Sequence, residues 1–253
     1  MPTARSDGVD IRYETTGDGP AVLFLNDVGY GAWLWGWQHA ALAGPFETLT
    51  VDPRGTGDSD APPGPYDVAT LAADVEAVLR DHGVSRVHLV GAGLGGMVAL
   101  AYAREYGRAR SLVLLDTALS GEAVDEGMLD VMAGRGPDSL APCFSESFFE
   151  TQREVVAGIE KWREDDDARS EGRAAQAAAM LEFACDAPYE VTLPALVCHG
   201  ADDPVVPVTA GRELADALPQ GTFTEVPGRH LAFVESSRVA NDAIAGFLER
   251  VTE

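Results

Sequence analysis

The sequence predicts an α/β fold, a mostly parallel sheet flanked by helices, with a helical lid inserted in it. Three observations carry that expectation. Short continuous apolar runs, such as Ala21 to Leu25 and Ser111 to Leu115, read as strands buried on both faces. These runs alternate with stretches of helical spacing, the pattern of crossovers between parallel strands. Between residues 117 and 190 the strand-like runs stop and charged helical stretches replace them, over too many residues for a plain crossover. The expected organisation is therefore a core of residues 1–116 and 191–253 with a lid of residues 117–190.

In chain order, Val9 to Glu14 alternates weakly, as an edge strand does, and Gly17-Asp18-Gly19-Pro20 is a turn. The Ala21 to Leu25 strand delivers Asn26-Asp27-Val28-Gly29, then Tyr30-Gly31 and a Trp-rich helix from about Ala32 to Ala43. Glu47 to Val51 is the next strand, followed by the loop Asp52-Pro53-Arg54-Gly55-Thr56-Gly57-Asp58-Ser59. Val68 to His82 has helical spacing, with Leu71, Val75, Val78 and Leu79 on one face and Gly83 where a C-cap belongs. Val87 to Tyr102 runs as strand, glycine-rich turn and helix, and the Ser111 to Leu115 strand ends at Asp116. Within the lid, Phe144, Phe148, Phe149 and Trp162 are expected to form its core. Strand, helix and strand then resume at Ala195 to Cys198, Pro207 to Leu218 and Thr222 to Val226, before a last helix from about Ser236 to Arg250.

A chain of 253 residues suits one such domain, and 46% hydrophobic residues are ample for its core, so disorder is not the default. The formal charge of −23 is spread along the chain, and Lys161 is its single lysine. An Asp- and Glu-rich surface almost free of Lys resembles proteins of salt-in halophiles, where molar salt shortens the Debye length to about 3 Å. The alternative is an ordinary acidic protein. Either way nucleic acid and anionic membrane are poor partners. Cys143, Cys185 and Cys198 are odd in number, share no metal-ligand spacing and fit a reduced cytoplasm. The opening M-P-T-A-R-S-D-G has no apolar signal region and no run suits a bilayer span, so a cytoplasmic location is expected. No metal or cofactor is expected; the partner is a small-molecule substrate or ligand, and the oligomeric state stays open.

The chemistry concentrates on three loops. Gly91-Ala92-Gly93-Leu94-Gly95 has the strand-to-helix layout of a nucleophile elbow, written G-x-S-x-G, but Gly93 stands in the nucleophile's place. Read alone, the turn also serves as a tight connection that binds nothing, because glycine adopts positive φ at little cost. It also matches G-x-G-x-x-G, yet a dinucleotide fingerprint belongs after the first strand, and several strands precede this one. After the strand Ala195 to Cys198 comes His199-Gly200-Ala201-Asp202-Asp203-Pro204, and after Thr222 to Val226 comes Pro227-Gly228-Arg229-His230. Elbow, loop acid and loop His follow the order Ser, Asp, His, and all three leave carboxyl ends of strands, where open sheets bind ligands. His230 is expected as general base and Asp203 as the acid that orients it, with Asp202 as the alternative acid. His39, His82, His88 and His199 lack that context and read as structural or surface residues.

These marks together, with D-P-R-G-T-G-D-S at Asp52 to Ser59, G-A-D-D-P-V-V-P at Gly200 to Pro207 and G-R-H-L-A-F-V-E at Gly228 to Glu235, resemble the α/β-hydrolase superfamily. The lidded esterase, enol-lactonase and peroxidase-like branch is the nearest in pattern. The resemblance implies an oxyanion hole from the N–H groups of Val28 and Leu94, and a ligand near Asn26, Asp27 and Trp33. Two departures stand out: Gly93 replaces the nucleophilic serine, and Asn26-Asp27-Val28-Gly29 replaces His-Gly-x-Gly. Asp27 either opposes a developing oxyanion or caps the following turn. The expected function is action on a small ester, lactone or related carbonyl compound by an Asp203–His230 dyad without a serine nucleophile. The alternatives are a non-catalytic binding protein and an ordinary esterase with an engineered Ser-to-Gly change. Gly93→Ser is expected to restore an attacking hydroxyl, with Asp27 as its first obstacle.

Overall fold

The computed structural model describes residues 2–252. Eight strands form one sheet in the order β1-β2-β4-β3-β5-β6-β7-β8. They are β1 (Thr3–Ser6), β2 (Val9–Thr16), β3 (Ala21–Leu25), β4 (Glu47–Val51), β5 (Val87–Ala92), β6 (Ala109–Leu115), β7 (Ala195–Gly200) and β8 (Gly221–Val226). The β1/β2 and β2/β4 pairs are antiparallel, and every later pair is parallel. The edge differs from expectation. Val9–Thr16 is not the outermost strand, because the four-residue β1 pairs outside it. So short a segment leaves no periodicity to read.

The core helices are α1 (Gly36–Leu42), α2 (Val68–His82), α3 (Leu94–Glu105), α8 (Val208–Ala217), α9 (Ala232–Glu235) and α10 (Ser237–Thr252). The Trp-rich segment begins as a 3-10 turn at Ala32–Trp35, and α1 starts only at Gly36. Trp35 is buried between Phe24 and Phe233, so this tryptophan fastens the segment to the sheet. α2 has the predicted bounds. Asp67 accepts the Thr70 N–H at its start, and Gly83, at φ 81°, ends it in the left-handed region where a Cβ is costly. Between β6 and β7 the helices are α4 (Glu126–Met132), α5 (Glu146–Thr151), α6 (Arg153–Asp166) and α7 (Ser170–Glu182). Phe144 stacks on Phe148 as an apolar centre of this segment. Trp162 is instead 42% exposed and meets Trp37 edge-on.

All six residues of β5 and all five of β3 are buried, as strands covered on both faces must be. Each fully buried Val or Leu there contributes about 1.5–3 kcal/mol relative to exposure. The parallel register sets Leu25 beside Gly91, Ala92 beside Leu115, Leu115 beside Cys198 and Gly200 beside Val226. The loops that follow β3, β5, β6, β7 and β8 therefore leave one edge of the sheet together.

Candidate active site

The turn after β5 is tight because its neighbours have no side chains. A Cβ on Gly91 would overlap the Gly95 carbonyl, and one on Gly95 would overlap the Leu25 carbonyl. Gly93 sits at φ 49°, ψ −115°, a conformation that disfavours any side chain. Its N–H donates to the Leu115 carbonyl, and its own carbonyl accepts from Thr117 Oγ1 at 2.7 Å. Leu94 then opens α3 with its N–H aimed at the loop after β3.

Asp27 fills the space above Gly93. Its Oδ1 accepts from the Val28 N–H at 2.7 Å and from the Leu94 N–H at 3.0 Å. Its Oδ2 lies 3.0 Å from His230 Nε2, and His230 Nδ1 lies 2.8 Å from Asp203 Oδ2. Sequence reading allowed Asp27 either to oppose an oxyanion or to cap its turn. In the fold the carboxylate itself occupies the point where the two N–H groups converge. A Cβ on Gly93 would overlap that carboxylate, so the two sequence departures form one steric unit. This corrects the expectation for Gly93→Ser, because serine has no room while Asp27 is in place.

His230, Asp27 and Asp203 are all buried. Burial works against a charged imidazole, but the Asp203 charge and the hydrogen bonds to Asp203 and Asp27 hold His230 well above the ordinary histidine range. With a carboxylate oxygen at each ring nitrogen, both nitrogens donate. Burial favours the neutral form of Asp203, yet the His230 charge and the hydrogen bonds from His199 and His230 outweigh it and keep Asp203 below the ordinary carboxylate range. Asp203 Oδ1 also accepts the N–H groups of Val205 and Val206, which fixes the carboxylate across the turn. Asp202 takes no part in this array; its own N–H donates to the Gly228 carbonyl.

Two neighbours escaped the sequence reading. His199 is fully buried, with Nε2 at 2.8 Å from the Val206 carbonyl and 3.3 Å from Asp203 Oδ2. Asp116, at φ 48°, accepts the Gly200 N–H, and burial pushes its carboxyl up to about 7. Asp116, His199 and Asp203 bring one ligand atom each within 4.8 Å of one another. His199 reads as isolated in sequence, but it stands four residues before Asp203 at the end of β7, and Asp116 ends the adjacent strand. That shared position was the available signal. Cys143 lies close by, bonded to the Tyr30 hydroxyl at 3.2 Å. Burial pushes its thiol up to about 11, which removes it as a thiolate nucleophile near neutrality.

Asn26 and Trp33, expected near a ligand, have their polar atoms engaged by other residues of the fold. The Asn26 side chain is used within its own loop, donating to the Tyr30 carbonyl and accepting from Trp35 Nε1. Trp33 donates to Asp167 Oδ1 at 2.8 Å and lines a separate cleft of about 340 Å³ with Arg12, His39 and Asp52. The inserted helices grip the same loop. Arg173 donates to the carbonyls of Val28 and Gly29, and Gln176 accepts the Gly29 N–H. Asp167 ties Gly31 and Trp33 to Arg163 and Arg173. A cavity of about 270 Å³ is lined by Val28, Leu129, Ala133, Arg135, Arg173 and Ala177 among others.

Residues 22–243 match the family described as "Alpha/beta hydrolase family". The chain belongs to this family. It is 27% identical to 3-oxoadipate enol-lactonase 2 of Acinetobacter baylyi over 260 residues, covering 98% of this chain and 96% of that one. Among solved structures it superposes on a thermophilic esterase from Thermogutta terrifontis with a TM-score of 0.85 at 27% identity, covering 99% and 98% of the two chains. The enol-lactonase from Burkholderia xenovorans LB400 gives a TM-score of 0.83 at 26% identity, covering 98% and 100%. As in those structures, this hydrolase-family sheet is mostly parallel and flanked by helices, and no described helix is long and apolar enough to cross a membrane.

Proposed function

We propose that this hydrolase-family protein cleaves a small ester or lactone without a seryl acyl-enzyme. His230, once it has given up one proton, is the base that deprotonates water, Asp203 orients it, and the N–H groups of Val28 and Leu94 hold the oxyanion. The observation that carries this reading is the hydrogen-bonded line from Asp203 through His230 to a carboxylate held on those two N–H groups. An esterase and two enol-lactonases among its relatives support the substrate class. The helices of 117–190 act as a lid: His230 and Asp27 are buried, the His230 N–H donates to the Pro142 carbonyl of that segment, and entry requires the helices to part. The excess of acidic residues suits a cytoplasm of high salt.

The fit of Asp27 against Gly93 speaks against a plain esterase that has merely lost its serine. The same fit favours a second reading, a binding protein whose oxyanion site is plugged. Turnover decides between them. A panel of small lactones and alkyl esters should be hydrolysed by the native chain and lose about 10²–10⁴-fold in rate with His230→Gln. A folded native chain silent on the whole panel favours the binding protein.

A further inference from the structure

We infer that Asp27 is the covalent nucleophile of this site, and that its target is a saturated carbon bearing a leaving group. The inference rests on the hydrolase reading above and names the route. The two oxygens of Asp27 have different duties. Oδ1 is saturated by two backbone N–H donors, whereas Oδ2 carries one hydrogen bond, from His230, and keeps a free lone pair. Gly93 leaves the room that this carboxylate occupies. Val28, the next residue, lines a cavity of about 270 Å³, a volume suited to a small substrate.

The placement of Oδ1 selects the electrophile. Attack on a carbonyl carbon would build negative charge on a substrate oxygen, and the two N–H donors are already committed to Asp27. Attack on a saturated carbon builds no such oxyanion. With a β-lactone, Oδ2 bonds to the ring carbon next to the ring oxygen. The carbon–oxygen bond breaks, and its electron pair leaves as the substrate's own carboxylate. Asp27 is then an ester whose carbonyl oxygen, Oδ1, still lies on the N–H groups of Val28 and Leu94. That is the arrangement an oxyanion hole must have for the next step. Loss of the Asp27 charge removes one of the two carboxylates facing His230, which releases its proton to solvent. Neutral His230 takes a proton from water, hydroxide adds to Asp27 Cγ, and the two donors hold the resulting Oδ1 anion. Collapse expels the alkoxide, which recovers the proton from His230, and Asp27, which keeps one oxygen from water, returns that oxygen's proton to His230. The sum is lactone plus water giving a hydroxycarboxylate and one proton.

Stereochemistry and isotope label test this together. (R)-β-butyrolactone is supplied in water labelled with oxygen-18, with enzyme in excess for a single turnover. The expected product is (S)-3-hydroxybutyrate with an unlabelled hydroxyl, and the peptide containing Asp27 carries the label. An (R) product with label in its own carboxylate and an unlabelled Asp27 overturns the nucleophile while leaving the hydrolase reading intact. His230→Gln should stop the second step and accumulate protein heavier by one lactone at Asp27, and adding Asp27→Asn should abolish that adduct. Native chain without turnover, together with His230→Gln without adduct, overturns both the nucleophile and the lactone reading.

Discussion

At the scale of single residues, the site turns on one contact that spans the chain. His230 and Asp203 were legible because each lies in a short motif whose order fixes its partner. The conformation of Asp27 was not, since it depends on Leu94, 67 positions later, and on His230, 203 positions later. Gly93 was legible as a departure, but its consequence, a space shaped for a carboxylate, exists only once β3 and β5 pair in register. Gly93→Ser alone should therefore give a destabilised protein with no burst on p-nitrophenyl acetate, since positive φ costs about 1–3 kcal/mol and Asp27 opposes the new side chain. The double variant Gly93→Ser, Asp27→Gly should show a burst by stopped-flow absorbance, because the N–H pair is then free to receive an acyl oxyanion. A burst from the single variant would mean that Asp27 leaves its place readily.

At the scale of elements, most strands and α2 followed from apolar runs and caps. The inserted helices were legible as helical but not in their attachment, because the residues that anchor them are charged and read as surface. Asp167, Arg163 and Arg173 are instead buried together, the two guanidinium groups lying over the Tyr30 ring. Arg163 bonds to Asp167 Oδ2 at 3.0 Å and Arg173 at 3.1 Å. Removing the shared anion leaves two buried cations uncompensated, a loss of about 3–5 kcal/mol. Asp167→Ala should lower the urea midpoint accordingly and loosen the loop that carries Val28 and Gly29. A midpoint within experimental error of the native one would place this cluster outside the cooperative unit.

At the scale of the whole molecule, two conditions should govern stability. The first is salt: with a formal charge of −23, screening between low and molar KCl should raise the melting temperature strongly. A melting temperature independent of salt would count against the high-salt reading of composition. The second is pH. His230 is held above its ordinary value, so its contribution is complete below about 6.5 and declines as pH rises toward the folded-state value. Asp203 is held below its ordinary value, so its contribution is complete above about 3.9 and is lost only as pH falls further. The stability advantage of the native chain over His230→Gln, from denaturant titrations at fixed salt, should therefore shrink above about pH 6.5. An advantage that grows with pH there would reverse the sign.

A carboxylate from the loop after β3, rather than a serine at the elbow, partners His230. Nitrogen-15 NMR of the His230 ring across a pH titration tests it most directly, read in the native chain and in Asp27→Asn. The native imidazole should stay doubly protonated well above the ordinary histidine range, and Asp27→Asn should move its titration to lower pH. An imidazole that titrates identically in the two proteins would contradict it.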